Sequence, residues 1–142
     1  MIDKISTQRR SENMRRIKSK DTKPELAARR LLFKAGYRYR LHRTDLPGKP
    51  DIVFSKAKKI ILVQGCFWHG HENCIDGRIP KSRADYWPSK IAGNKARDER
   101  NLKLLKEQGW KVLVVWECET KNLSYLQKML LAFVDPEIPL RN

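Results

Sequence analysis

The spacing of apolar and polar positions divides the chain into short alternating elements. From Thr22 the pattern turns helical, with Leu26, Leu31, Leu32 and the intervening alanines supplying an apolar face. Thr22 and Glu25 have the spacing of a capping box, and Pro24 falls in the first turn, where a missing N–H costs nothing. Gly36 closes the segment. Residues 37–42 read as a strand. The turn Leu46-Pro47-Gly48-Lys49-Pro50 leads to two β-branched runs, Asp51-Ile52-Val53-Phe54 and Ile60-Ile61-Leu62-Val63. They are split by a largely polar loop and predict a β-hairpin. Pairing Phe54 with Ile60 would set Asp51 opposite Val63. A long helix is expected over residues 85–108, with Trp87, Ile91, Leu102 and Leu105 near one face and Gly109 at its end. Residues 110–116 predict a central strand, and residues 123–134 a last helix. The order α, β, β-hairpin, α, β, α predicts an α/β mixed sheet flanked by helices.

Ahead of this pattern, residues 1–20 are polar and basic, with sparse apolar positions such as Ile5, Met14 and Ile17. They predict a basic N-terminal arm with a short helix near residues 11–18. Residues 21–142 then form one domain, as a chain of 142 residues allows.

Charge sharpens this division. The chain carries 31 Lys+Arg against 16 Asp+Glu, a net +15. Residues 1–49 hold 15 Lys+Arg and 5 acids, a net +10. Such a concentration is the electrostatic footprint of a polyanion binder, nucleic acid above all. A hydrophobic content of 40% is too high for a disordered basic tail. No apolar run approaches the roughly 20 residues of a membrane span. The first residues lack the apolar core of a signal peptide. Three cysteines, an odd number, suit the reducing cytoplasm better than a secreted disulfide scaffold.

Cys66, His71 and Cys74 cluster in an irregular stretch, and Cys118 follows the last strand. Thiolates plus imidazole suit tetrahedral zinc, and four protein ligands would leave no open position, so the site would be structural. His69 is a spare histidine that could substitute for His71. Carboxylates are scarce, which singles out Asp51. With the Val63 main-chain carbonyl it could hold Mg²⁺, which takes oxygen ligands and keeps several waters. Glu25 could add a carboxylate through water, or serve only as the helix cap. His69 could act as general base near a metal-held phosphate, or be a zinc ligand or solvated loop residue. Phe67 and Trp68 lie in the irregular stretch, and Trp87 starts the long helix near Arg78, Lys81 and Arg83. Aromatics interleaved with basic residues suit base stacking or intercalation.

Several of these segments together resemble a known family. They are Gly65-Cys66-Phe67-Trp68-His69-x-His71, Leu46-Pro47-Gly48-x-Pro50-Asp51, Lys90-Ile91 with Asn94-x-x-Arg97-Asp98, and Gly109-Trp110-x-Val112-Leu113-x-Val115-Trp116-Glu117-Cys118. In that order they are similar to the very-short-patch repair (Vsr) DNA mismatch endonucleases, over roughly residues 8–120. The resemblance implies a restriction-endonuclease-like α/β fold with a structural zinc site. It implies Mg²⁺-dependent nicking of duplex DNA 5′ to the thymine of a T·G mismatch arising from 5-methylcytosine deamination. It also implies Asp51 and the Val63 carbonyl as Mg²⁺ ligands, His69 as general base and Glu25 as a nearby acidic residue. Cys66, His71, Cys74 and Cys118 correspond to the zinc ligands. Phe67, Trp68 and Trp87 correspond to aromatics inserted from the major groove, and Met14 to an N-terminal residue entering from the minor groove. Lys90 and Asn94 correspond to positions that recognise the mismatch.

The implied enzyme is a bacterial, nucleoid-associated monomer, with a mismatch-repair linker protein and a repair polymerase as partners. Two departures stand out: Gln64 replaces a histidine common in the family, and one extra residue separates His71 from Cys74. The rival readings are a restriction- or mobile-element-associated endonuclease of the same fold with other specificity, and a non-catalytic zinc-containing DNA-binding module.

Overall fold

The structure is a computed structural model that describes residues 21–72, 74–75 and 86–135. The expected basic arm over residues 1–20, with Met14, lies outside the described residues, as do Arg78, Lys81 and Arg83.

Helix α1 spans Lys23–Lys34. The Thr22 hydroxyl caps it by accepting the Glu25 N–H at 3.4 Å, and Pro24 sits in its first turn. At the other end Gly36 takes φ +101°. Its N–H reaches the Phe33 carbonyl at 3.0 Å, and Tyr37 N–H the Leu32 carbonyl at 3.0 Å. That pair of bonds is a Schellman cap, which glycine makes at no steric cost. The same device ends helix α2 (Tyr86–Glu107): Gly109 N–H meets Lys106 O and Trp110 N–H meets Leu105 O.

Four strands, β1 (Arg40–Leu41), β2 (Ile52–Phe54), β3 (Lys59–Gln64) and β4 (Lys111–Trp116), pair in that order. The first three are antiparallel, and β4 runs parallel to β3 after the α2 crossover. Helix α3 (Leu123–Val134) follows a short 3-10 turn, Glu117–Lys121. Alternation along the strands sorts the core into two faces. Ile52, Phe54, Ile61 and Val115 pack with Ala28 and Leu32 of α1 and with Leu126, Leu130 and Val134 of α3. Val53 and Ile60 face the other way, onto Leu105 of α2 and Trp110. The result is a mixed α/β architecture, with a four-stranded sheet between α1/α3 and α2. No helix among the described residues is long and apolar enough to cross a membrane.

Three sequence expectations need correction. The hairpin register is one residue tighter than expected: Phe54 pairs with Lys59, and Val53 with Ile60. Asp51 is therefore level with Leu62, not Val63. Lys59 joins the strand because its buried side chain carries its ammonium to the Phe133 carbonyl of α3, 2.6 Å away. Lys58, at φ +54°, then closes a four-residue turn. The strand over 37–42 shrinks to Arg40–Leu41, since Tyr37 completes the α1 cap and His42 turns to φ +49°. Finally, β4 is an edge strand of the described sheet, with only Val115 buried.

Candidate active site and metal centre

The antiparallel pairing of β2 and β3 brings the start of β2 and the end of β3 to one end of the sheet. Asp51 precedes β2, and its Oδ2 accepts the Val63 N–H at 2.8 Å. The side chain thus takes the bond that a strand neighbour would otherwise make. In an extended strand a residue's N–H and C=O project toward the same neighbour, so the Val63 carbonyl also faces the Asp51 side. Extending the register sets Pro50 level with Val63, and Pro50 has no N–H to give that carbonyl.

Glu25 sits behind Asp51, almost wholly buried at 2% exposure. Its carboxylate contacts His42 Nε2 at 2.7 Å and accepts from Arg29 Nη1 at 3.2 Å and the Asp21 N–H at 3.3 Å. The capping hydroxyl and this buried carboxylate coexist, so Glu25 is both a first-turn residue and part of the site. Burial pushes the Asp51 carboxyl up to about 7, and the adjacent Glu25 adds to this against the opposing Val63 N–H. Two neighbouring carboxylates, one of them with its proton affinity raised by burial, are chemistry suited to a divalent cation.

His69 faces the same cleft, a cavity of about 440 Å³ shared with Asp51, Val63, Gln64 and Asp98. Its Nδ1 lies 2.5 Å from Asp98 Oδ2. A carboxylate only accepts, so Nδ1–H is the donor of this contact, and in the neutral ring Nε2 is the acceptor. The loop that carries His69 docks closely on α2 because residue 70 is glycine. Gly70 has φ +61°, and a Cβ there would fall 2.6 Å from Ile91 Cγ2. Asp98 was given no role on sequence, although a signal existed: it lies seven residues after buried Ile91, on the inward face of α2. His42, the partner of Glu25, carried no sequence signal.

Parallel pairing of β3 and β4 sets Gln64 beside Trp116. The residues just after both strands therefore converge. Ligand atoms of Cys66, His71, Cys74 and Cys118 all lie within 4.8 Å of one another. Cys118 Sγ is 3.5 Å from His71 Nδ1, and the Cys118 N–H donates to Cys66 Sγ at 3.4 Å. The His71 ring stacks on Trp116, 4.1 Å between centroids and 6° from parallel. Burial pushes the Cys66 thiol up to about 12 and raises Cys118 as well. A soft divalent metal would reverse this, because a coordinating thiol is deprotonated. The donor set fits a four-coordinate metal.

Residues 2–75 match the family DNA mismatch endonuclease Vsr. The chain belongs to the Vsr DNA mismatch endonuclease family. It is 51% identical over 136 residues to the type II nicking enzyme V.XorIIP of Xanthomonas oryzae pv. oryzae, covering 96% of this chain and 99% of that one. It is 48% identical over 130 residues to the type II nicking enzyme V.NmeAIP of Neisseria meningitidis, covering 92% of each. With the DNA mismatch endonuclease Vsr of Escherichia coli it shares 41% over 126 residues, covering 89% and 80%.

In this Vsr-family chain the aromatics form a satellite cluster beside the cleft, outside the two main cores. Phe67 and Trp68 are half-buried and meet edge-to-face at 5.0 Å. Trp87 is buried, 5.2 Å from Phe67 and 6.0 Å from Trp68. Tyr86, which sequence reasoning passed over, packs on Trp87 at 4.8 Å. Asn94 Nδ2 donates to the Trp68 carbonyl at 2.8 Å, tying the aromatic loop to α2, while Lys90 stands exposed one turn earlier.

Proposed function

We propose that the chain is a Mg²⁺-dependent, strand-specific DNA endonuclease. It nicks 5′ to the thymine of a T·G mismatch left by 5-methylcytosine deamination, on a restriction-endonuclease-like fold. The observation that carries this reading is the shared cleft of Asp51 and His69, with His69 oriented by Asp98. Asp51 and the Val63 carbonyl would hold Mg²⁺, with Glu25 reaching it through water. When bound, the ion supplies Lewis-acid polarisation of the scissile phosphate. His69 Nε2 takes a proton from the attacking water as its oxygen bonds to phosphorus, and Asp98 stabilises the imidazolium that forms. The bond from phosphorus to the leaving sugar oxygen breaks, and that oxygen takes a proton from solvent.

Phe67, Trp68 and Trp87 supply the wedge, since unstacking costs less at a mismatch than in matched duplex. Lys90 and Asn94 read the opened pair. The basic arm of residues 1–20, with Met14, holds the duplex from the minor-groove side against the endonuclease domain of residues 21–142. Its contacts make affinity fall steeply with salt. Cys66, His71, Cys74 and Cys118 would hold structural Zn²⁺. One active site per chain fits a monomer that makes a nick rather than a double-strand break. A mismatch-repair linker protein and a repair polymerase would act with it.

The test is a nicking assay with Mg²⁺ on duplexes carrying T·G or T·A in varied flanking contexts. Cleavage of the thymine strand confined to T·G duplexes is expected. Equal cleavage of matched DNA would reject the mismatch reading. Intact nicking by Asp51→Ala would reject the assignment of the active site.

A further inference from the structure

The cleft presents a chemical problem for this reaction. Asp51 and Asp98 line it, and buried Glu25 lies behind. A phosphodiester gains negative charge at its phosphoryl oxygens during attack, and beyond the Mg²⁺ that Asp51 would hold, carboxylate walls oppose that build-up of charge. Gln64, on the β3 wall, is neutral and offers no charge to offset them. Among the described residues that line the cleft, Lys49 is the one lysine or arginine.

Its backbone is unusual. Lys49 has φ +48°, in the left-handed region that a side chain disfavours. It follows Gly48, itself at φ +77°. Glycine would carry no steric cost at either position. A lysine kept where glycine would be less strained points to use of its side chain.

The loop around it is also pinned. The Lys49 N–H donates to the Leu46 carbonyl at 3.2 Å. Pro47 and buried Pro50 restrict the neighbouring φ angles. Gly48 packs on Asn101 so closely that a Cβ would lie 3.1 Å from its Nδ2. The Lys49 Cα is thus held two residues before Asp51. Among the described residues no carboxylate forms an ion pair with Lys49, whereas Arg29 pairs with two, and Arg43 and Lys95 with one each.

We propose that Lys49 is the protein's own cation at the scissile phosphate, stabilising the charge that develops on the phosphoryl oxygens. The inference rests on the nuclease reading above. Lys49 transfers no proton and forms no covalent bond in this role.

The experiment compares the full-length protein with Lys49→Met, Lys49→Arg and Lys49→Gly on a T·G duplex with Mg²⁺. It measures the single-turnover nicking rate at saturating enzyme, the DNA dissociation constant, and the thermal midpoint. Lys49→Met should lower the saturating rate by about 10²–10³-fold, the loss typical of removing one transition-state donor. Its dissociation constant should stay within about threefold, since the lost contact belongs to the transition state. Lys49→Arg should recover most of the rate. Lys49→Gly should lose rate like Lys49→Met while melting no lower than wild type, which separates the missing charge from loop collapse. An unchanged saturating rate in Lys49→Met, with wild type nicking normally, would overturn the proposal and leave the nuclease reading standing. A loss confined to the dissociation constant would also overturn it, making Lys49 a general DNA-binding lysine. Failure of wild type to nick T·G duplexes would overturn the nuclease reading and this inference with it.

Discussion

Asp98 holds His69 across the cleft: the carboxylate on α2 lies 2.5 Å from the ring nitrogen on the loop after β3. The contact joins a helix to a loop 29 positions earlier in sequence. It also decides which ring nitrogen is left to accept a proton.

Asp98→Asn should therefore keep the fold and DNA affinity but impair proton transfer. An amide can present its NH₂ to Nδ1 and favour the wrong tautomer. A loss of about 10²–10⁴ in single-turnover rate is expected. Single-turnover kinetics beside a binding titration would check it, and an unchanged rate would remove Asp98 from the mechanism.

Asp51 should make metal-free stability fall as pH rises. Its folded pKa, about 7, stands above its ordinary 3.8. Between those values the folded chain holds a proton that the unfolded chain has lost, so each step up in pH favours unfolding. The stabilisation relative to ionised Asp51 is full below about 4 and gone above about 7. Melting curves without added Mg²⁺, compared between wild type and Asp51→Asn, should diverge across that window. The variant should be the more stable at high pH. Adding Mg²⁺ should narrow the gap at high pH by stabilising wild type alone.

Elemental analysis should find one zinc per chain, and Cys118→Ser should lose it. Metal binding at such sites contributes directly to folding. The cysteine loop also carries His69, so zinc loss should lower both the melting temperature and nicking. Retention of a wild-type melting temperature in metal-stripped protein would argue against a structural site.

Trp68→Ala and Trp87→Ala should behave differently although both residues belong to one aromatic cluster. Half-buried Trp68 can leave the cluster to stack on a base, worth about 1–3 kcal/mol. Its loss should weaken preference for mismatched over matched DNA by about ten- to a hundredfold. Loss of Trp87, the buried member of the same wedge, should in addition cost about 3–5 kcal/mol of stability, visible in denaturant unfolding. Equal binding preference in wild type and Trp68→Ala would remove Trp68 from the wedge.

Gly70→Ala should damage activity without touching a reacting group. The new methyl would lie 2.6 Å from Ile91 Cγ2 at a left-handed backbone position. The loop must then lift from α2, taking His69 off Asp98. Nicking should fall while zinc content stays at one per chain, and wild-type kinetics would contradict the packing argument.

Local signals determined much of this protein. The Thr22 cap, the glycine ends of α1 and α2, the span of α3 and the β2–β3 hairpin all depend on neighbouring residues, so sequence displays them directly. The cysteine and histidine set was legible too, because its residue types are rare and two of its spacings are short. Tertiary structure decided what depends on distant partners. Lys59 reached across to Phe133 and shifted the hairpin by one residue, which no pattern within the hairpin encodes. The pairing of His69 with Asp98, and of Glu25 with His42, follows from how a loop docks on a helix. The left-handed backbone at Lys49 and the close approach of Gly48 to Asn101 likewise became visible only in the structure. Sequence singled out Asp51, His69 and the cysteines as candidates by residue type alone. The fold determined which of them face one another, because side-chain chemistry is local whereas orientation is fixed by contacts between distant segments.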